Sequence, residues 1–183
     1  MQIVELRASD GDRILQAAEL LVEGFRGLSP AWPDLEAGLK EVRESLGPDR
    51  ICCAAIDAQG IVQGWIGGIR QYDGNVWELH PLVVRQDFRR RGIGRSLVKA
   101  LEGRVKRQGG GSIFLGTDDE YNATSLSNVD LYTDTFEKIK NIKNLRNHPF
   151  EFYQKLGFSI VGVVPDANGP GKPDIIMAKK LAG

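Results

Sequence analysis

The sequence predicts an α/β protein: one domain whose mixed sheet carries helices on both faces. Three observations lead there. Hairpin-forming strands come first, strand–helix–strand units follow, and an arginine-rich turn bearing glycines joins one strand directly to one helix. The 183 residues fit one compact domain and fall short of two ordinary ones. With 42% hydrophobic and 26% charged residues the balance is that of a soluble globular protein. A chain of this length buries roughly two-thirds of its unfolded surface, enough for a substantial core.

Gln2 to Arg7 alternates apolar and polar, as a half-buried strand does. Asp12 is the expected cap of a helix in which Ile14, Leu15, Ala18, Leu21, Val22 and Phe25 recur at helical spacing. Gly27 to Pro33 is loop chemistry, and a second helix is predicted over 34–46, stopped by Gly47 and Pro48. Ile51 to Ile56 and Ile61 to Ile69 read as strands joined by a turn at Asp57 to Gly60, and a third strand runs from Val76 to Val84. After the arginine-rich turn, Ile93, Leu97, Leu101 and Val105 mark the buried side of a helix that Gly109 to Gly111 ends. A strand over 112–116, a polar stretch, helices over 129–142 and 148–156, and strands over 158–164 and 174–180 complete the prediction. There is no internal repeat and no low-complexity segment.

Composition excludes several functions. Lys and Arg number 24 and so do Asp and Glu, leaving no basic excess to neutralise a nucleic acid. No apolar run approaches the roughly 20 residues of a membrane span. Met1 to Leu6 lacks a basic start followed by an apolar stretch, so no secretory leader is expected. Cys52 and Cys53 are adjacent on a predicted buried strand and point to opposite faces, which argues against a disulfide and for a reducing compartment, the cytoplasm. With two histidines and no other cysteine, no metal site is expected.

The sharpest local signal is Arg89-Arg90-Arg91-Gly92-Ile93-Gly94, between a strand and a helix. Glycines let backbone approach a ligand, and the first N–H groups of a helix are unpartnered at its positive end. Arginines beside that end add forked donors suited to phosphate oxygens. Taken alone, the hexapeptide fits a solvated basic turn or a pyrophosphate cradle. It is not a Walker loop, since no Gly-Lys-Ser/Thr follows, and it lacks the third glycine of a dinucleotide fingerprint.

Arg89-x-x-Gly92-x-Gly94, preceded by His80-Pro81-Leu82-Val83-Val84 and followed far downstream by Phe152-Tyr153-Gln154-Lys155-Leu156-Gly157-Phe158, resembles the signature elements of the GCN5-related N-acetyltransferase (GNAT) superfamily. Within it, Trp77 to Val84, Gly116 to Asp119, Asn147-His148-Pro149, Lys172-Pro173-Asp174 and the Trp32-Pro33 loop are similar to the chromosomal aminoglycoside 6′-N-acetyltransferases. The resemblance implies a mostly antiparallel central sheet of six or seven strands, flanked by helices and splayed at the cofactor strand. It implies acetyl-CoA as cosubstrate, a small-molecule amine acceptor of aminoglycoside type, direct transfer in a ternary complex and a homodimer.

The same resemblance implies roles for particular residues. Leu82, Val83 and Val84 meet the cofactor through backbone, and Arg89, Arg90, Arg91, Gly92, Ile93, Gly94 and Arg95 form its phosphate cradle. Glu78 is the candidate base, directly or through water; an ammonium-binding carboxylate and a wet-face glutamate are its rival readings. The Leu82 N–H is the expected donor to the thioester oxygen, with Pro81 disturbing regular pairing beside it. Tyr153 matches the tyrosine beside the sulfur, and is otherwise a packing anchor. Alternation places His80 on the face of Glu78 and Leu82, in a supporting role; His148 is expected to be structural, and Asn147 receives no role. For an acceptor with several ammonium groups, Asp118, Asp119, Trp32 and Tyr72 join Glu78 and His80 as candidate contacts. The acidic residue expected next falls nearer Tyr121 than Glu120.

Overall fold

A computed structural model describes residues 1–181, which form two compact units. The first comprises residues 1–111 with Leu181, the second residues 112–180. Among the described residues no helix is long and apolar enough to cross a membrane.

The first unit contains β1 (Gln2–Glu5), α1 (Gly11–Phe25), α2 (Leu35–Glu44), β2 (Arg50–Ile56), β3 (Val62–Gln71), β4 (Val76–Val84) and α3 (Ile93–Arg107). Its strands pair antiparallel in the order β1-β2-β3-β4. β2 is buried along nearly its whole length, because α1 and α2 cover one face and α3 the other. Its run Cys52-Cys53-Ala54-Ala55 is small enough for helices to pack closely on both sides. Both thiols are free and buried, and burial pushes both up from their ordinary range. Trp65 on β3 is fully buried and donates from Nε1 to the Ala17 carbonyl at 3.0 Å, tying α1 to the sheet.

The second unit contains β5 (Ser112–Asp118), α4 (Thr135–Lys140), α5 (Phe150–Gln154), β6 (Ser159–Val164) and β7 (Asp174–Lys180), with β7 between β5 and β6 and both pairings antiparallel. The fold is mixed α/β, as the order of elements predicts, and mostly antiparallel, as the resemblance implies.

Three local expectations are corrected. Asp12 does not cap α1: the helix begins at Gly11 with Asp10 at the cap position, and the Asp10 carboxylate accepts from the Arg7 N–H at 2.9 Å instead. The helix predicted over 129–142 shrinks to α4. Asp130 there accepts from the Tyr132 N–H at 2.9 Å and the Thr133 hydroxyl at 3.2 Å, and the Lys138 ammonium reaches the Asp130 carbonyl at 2.7 Å. These bonds hold residues 130–134 as a turn that competes with helix. The helix predicted over 148–156 is shorter for a similar reason: the His148 N–H donates to the Asn144 side chain at 2.7 Å, and helix starts only at Phe150.

Candidate functional site

β4 carries the site's first half. Its ladder with β3 pairs Ile69 with Glu78 and Gly68 with Leu79, then skips before pairing Ile66 with Leu82, Trp65 with Val83 and Gly64 with Val84. The bulge falls at His80-Pro81, whose peptide bond is cis, opposite Gly67. Gly67 is required there, because a Cβ would lie 2.2 Å from the His80 carbonyl oxygen.

The bulge corrects the expectation that Glu78, His80 and Leu82 share a face. Residues paired across an antiparallel ladder point the same way, and Ile66 and Ile69 point oppositely. Glu78 therefore faces away from Leu82. His80 packs on Trp32 with ring centroids 5.7 Å apart, on the α1/α2 side. Past the bulge, Val83 takes that side against Gly24 of α1, while Val84 and Leu97 of α3 meet on the other at Gly64. An extra residue in the strand inverts its faces.

On the α1/α2 side the Glu78 carboxylate accepts from the Gln71 side chain at 3.2 Å. Trp32 is nearly buried, with its edge on Phe25 at a centroid distance of 4.7 Å, and its indole N–H donates to Glu41 at 3.3 Å. Glu41 also lies 3.9 Å from the His80 Nε2. Sequence reasoning passed over Gln71 and Glu41. For Glu41 a signal existed: with Gly38, Val42 and Ser45 it falls on the buried flank of α2. Tyr72 sits in the turn between β3 and β4, exposed and at a positive φ of 48°.

After β4 the chain turns through Gln86–Phe88 and reaches the arginine loop. The Arg89 guanidinium donates back to the Val84 carbonyl at 3.0 Å, and Arg91 lies over the Phe88 ring at 5.0 Å. Arg90 and Gly92 adopt left-handed φ values of 61° and 84°. Gly92 is the N-cap of α3, supplies no capping side chain, and has open space where a Cβ would stand. Arg89, Arg90, Arg91, Gly92 and Arg95 are exposed, Gly94 is half-buried, and Ile93 is buried as the anchor of the helix start. The first turn of α3 has no acidic residue. Exposed backbone at the positive end of a fifteen-residue helix, ringed by guanidinium groups, fits a pyrophosphate.

The second unit holds Asp118, Asp119, His148 and Tyr153. Asp119 is 1% exposed, and its carboxylate accepts from the Ala123 and Thr124 N–H groups at 2.6 and 2.8 Å and from the Ser127 hydroxyl at 2.6 Å. Burial alone would raise this carboxyl, but bonds from Ser127, Thr124 and Ala123 outweigh it and hold the group below the usual range. Its occupation is to fold the segment that follows. Asp118 is exposed at the end of β5 and accepts from the Asn168 side chain at 2.6 Å. His148 links β5 to α5. Its Nδ1 accepts from the Phe150 N–H at 3.2 Å, so Nε2 carries the proton and donates to the Asp118 carbonyl at 3.1 Å. Burial lowers this imidazole despite the nearby Asp118 and Asp119. Tyr153 is 9% exposed between Phe152 and Phe158, and burial pushes its phenol up, so the hydroxyl keeps its proton. Among the described residues no three His, Cys, Asp or Glu side chains gather as metal ligands would.

The model of the acetyltransferase (GNAT) family matches residues 14–133. An aminoglycoside 6′-N-acetyltransferase solved with coenzyme A is 45% identical, with all of this chain and 98% of that one covered and a TM-score of 0.93. The aminoglycoside 6′-N-acetyltransferase from Enterococcus faecium is 45% identical over 100% and 98% of the two chains, with a TM-score of 0.92. An aminoglycoside 6′-acetyltransferase of type Ii is 38% identical over 100% and 99%, with a TM-score of 0.78. No curated protein sequence matches the chain.

Proposed function

The chain belongs to the acetyltransferase (GNAT) family, and from that premise we propose that it is an aminoglycoside 6′-N-acetyltransferase acting by direct transfer in a ternary complex. The observation that carries the acceptor class is the match to such enzymes at 45% identity over all of this chain. That match and the family's, which crosses from one unit into the other, also support reading residues 1–183 as one N-acetyltransferase domain.

Acetyl-CoA, when bound, supplies an acetyl group activated as a thioester. The amides from Arg91 to Gly94 and the guanidinium groups of Arg89, Arg90, Arg91 and Arg95 hold its pyrophosphate, and the backbone of Leu82 to Val84 holds its pantetheine arm. Glu78 takes the proton of the attacking ammonium, directly or through a water, because only the neutral amine is a nucleophile. The Leu82 N–H polarises the thioester oxygen, a contribution of about 3 kcal/mol for one well-placed donor. Tyr153 directs its hydroxyl at the sulfur. A free thiol loses its proton near pH ~8.5, so a hydrogen bond from a phenol that stays protonated assists the departing thiolate without full transfer. Trp32, Tyr72, His80 and Asp118 are the proposed acceptor contacts, and Asp119 folds the loop that follows β5. The same reading places the protein in the cytoplasm, consistent with its buried free thiols, as a homodimer.

Thiol release from acetyl-CoA, followed with kanamycin, spermidine and a lysine-rich peptide in parallel, tests the reading. Kanamycin-dependent release with a product heavier by one acetyl group supports it. Release with another amine alone keeps the chemistry and replaces the acceptor, and no release despite tight cofactor binding points to a non-catalytic module. Gly92→Val is expected to raise the acetyl-CoA Kd about tenfold or more, since a β-branched residue held at left-handed φ costs about 1–3 kcal/mol; calorimetric titration reads it.

A further inference from the structure

We propose that Glu41 is a positioning residue for the transfer reaction, fixing Trp32 and His80 as one wall of the acceptor site beside Glu78. The inference rests on the acetyltransfer reading above and adds a residue to it. Three separate stretches of chain meet at this carboxylate. Oε2 accepts from the Trp32 indole N–H at 3.3 Å, and Oε1 lies 3.9 Å from the His80 Nε2. The indole and imidazole are themselves 5.7 Å apart between centroids, tilted by 43°.

Trp32 belongs to an irregular loop between α1 and α2, yet it is only 9% exposed. Its hold is the edge contact on Phe25 and the bond to Glu41. The Glu41 side chain is 21% exposed and the His80 side chain 41%, so the cluster opens to solvent at the imidazole end. His80 stands two residues from Glu78 on the same α1/α2 side, as the first residue of the bulge. A carboxylate that holds the indole and stands beside the imidazole therefore sets what an incoming amine meets on its way to Glu78. It also adds a negative charge behind two aromatic surfaces, an arrangement suited to a polycation.

The test compares Glu41→Ala, Glu41→Gln and Glu41→Asp. Loss of a hydrogen-bonded charged group is expected to raise the kanamycin KM about tenfold in Glu41→Ala, with the acetyl-CoA KM and the Tm retained. Glu41→Gln keeps an acceptor for the indole but loses the charge, so its KM falls between, and Glu41→Asp restores part of the loss. In nitrogen-15 spectra, Glu41→Ala moves the Trp32 indole and His80 ring signals. The Trp65 indole, bonded to the Ala17 carbonyl, stays in place as the internal control. Unmoved Trp32 and His80 signals overturn the proposal. So does a kanamycin KM unchanged in all three variants, or one that rises only together with the acetyl-CoA KM and a lowered Tm. Should the wild-type protein turn over a different amine, that amine replaces kanamycin in the same comparison, and the ring signals decide the role of Glu41 independently.

Discussion

Glu78→Gln is expected to lower kcat with kanamycin by about a hundredfold or more, the scale of a lost general base, while the acetyl-CoA Kd stays near the wild-type value. The amide preserves the length of the side chain and an oxygen for the bond that Gln71 now gives the carboxylate, so packing on β4 changes little. What disappears is the capacity to accept a proton. The pH dependence separates the rival roles. If Glu78 takes the proton, the deficit shrinks as pH rises, because more of the acceptor enters already neutral. If Glu78 only holds an ammonium by charge, the acceptor KM rises and kcat is largely kept at every pH. Stopped-flow and steady-state measurements across the pH range distinguish the two.

Why Glu78 stands out as a candidate in the sequence while Glu41 does not follows from where their signals lie. Glu78 sits in a strand whose alternation is plain, ahead of a loop whose arginines and glycines have few other uses. The bounds of β4 and β7 agree with the sequence to the residue, since both strands run between strong turn signals. Glu41 looks like one more acid on an amphipathic helix, and its partners Trp32 and His80 lie 9 and 39 positions away. Periodicity says which flank it occupies but not which side chains face that flank. The stretch from Val129 to Asp134 was misread as helix for a different reason. Its conformation is set by Asp130 accepting from the Tyr132 N–H and the Thr133 hydroxyl, local bonds that apolar periodicity does not reveal. The face of Leu82 was misread because a period of two holds only until a residue is inserted, and Pro81 announces a disturbance without saying that the faces invert.

That inversion makes Gly67 the position with the largest expected structural effect. A Cβ at Gly67 would stand 2.2 Å from the His80 carbonyl oxygen, 3.1 Å from its carbon and 3.4 Å from the Pro81 ring. The first two are backbone atoms and cannot swing aside as a side-chain tip does. Gly67→Ala must therefore push β3 from β4 at the bulge, and a loss of about 1–3 kcal/mol is expected, the range of overpacking in a core. Gly103→Ala is the matched control. In α3 its Cβ would meet only the Arg107 guanidinium at 3.7 Å, an ordinary contact, and alanine favours helix by roughly 0.5–1 kcal/mol. Chemical denaturation should thus give the two glycine-to-alanine changes opposite signs. The folded fraction of Gly67→Ala should also lose kcat/KM, because the bulge is what turns Glu78 and His80 to one face and Leu82 to the other. A Gly67→Ala protein as stable and as active as wild type would mean that the strand tolerates regular pairing there, and that the division of labour between its faces does not depend on the bulge.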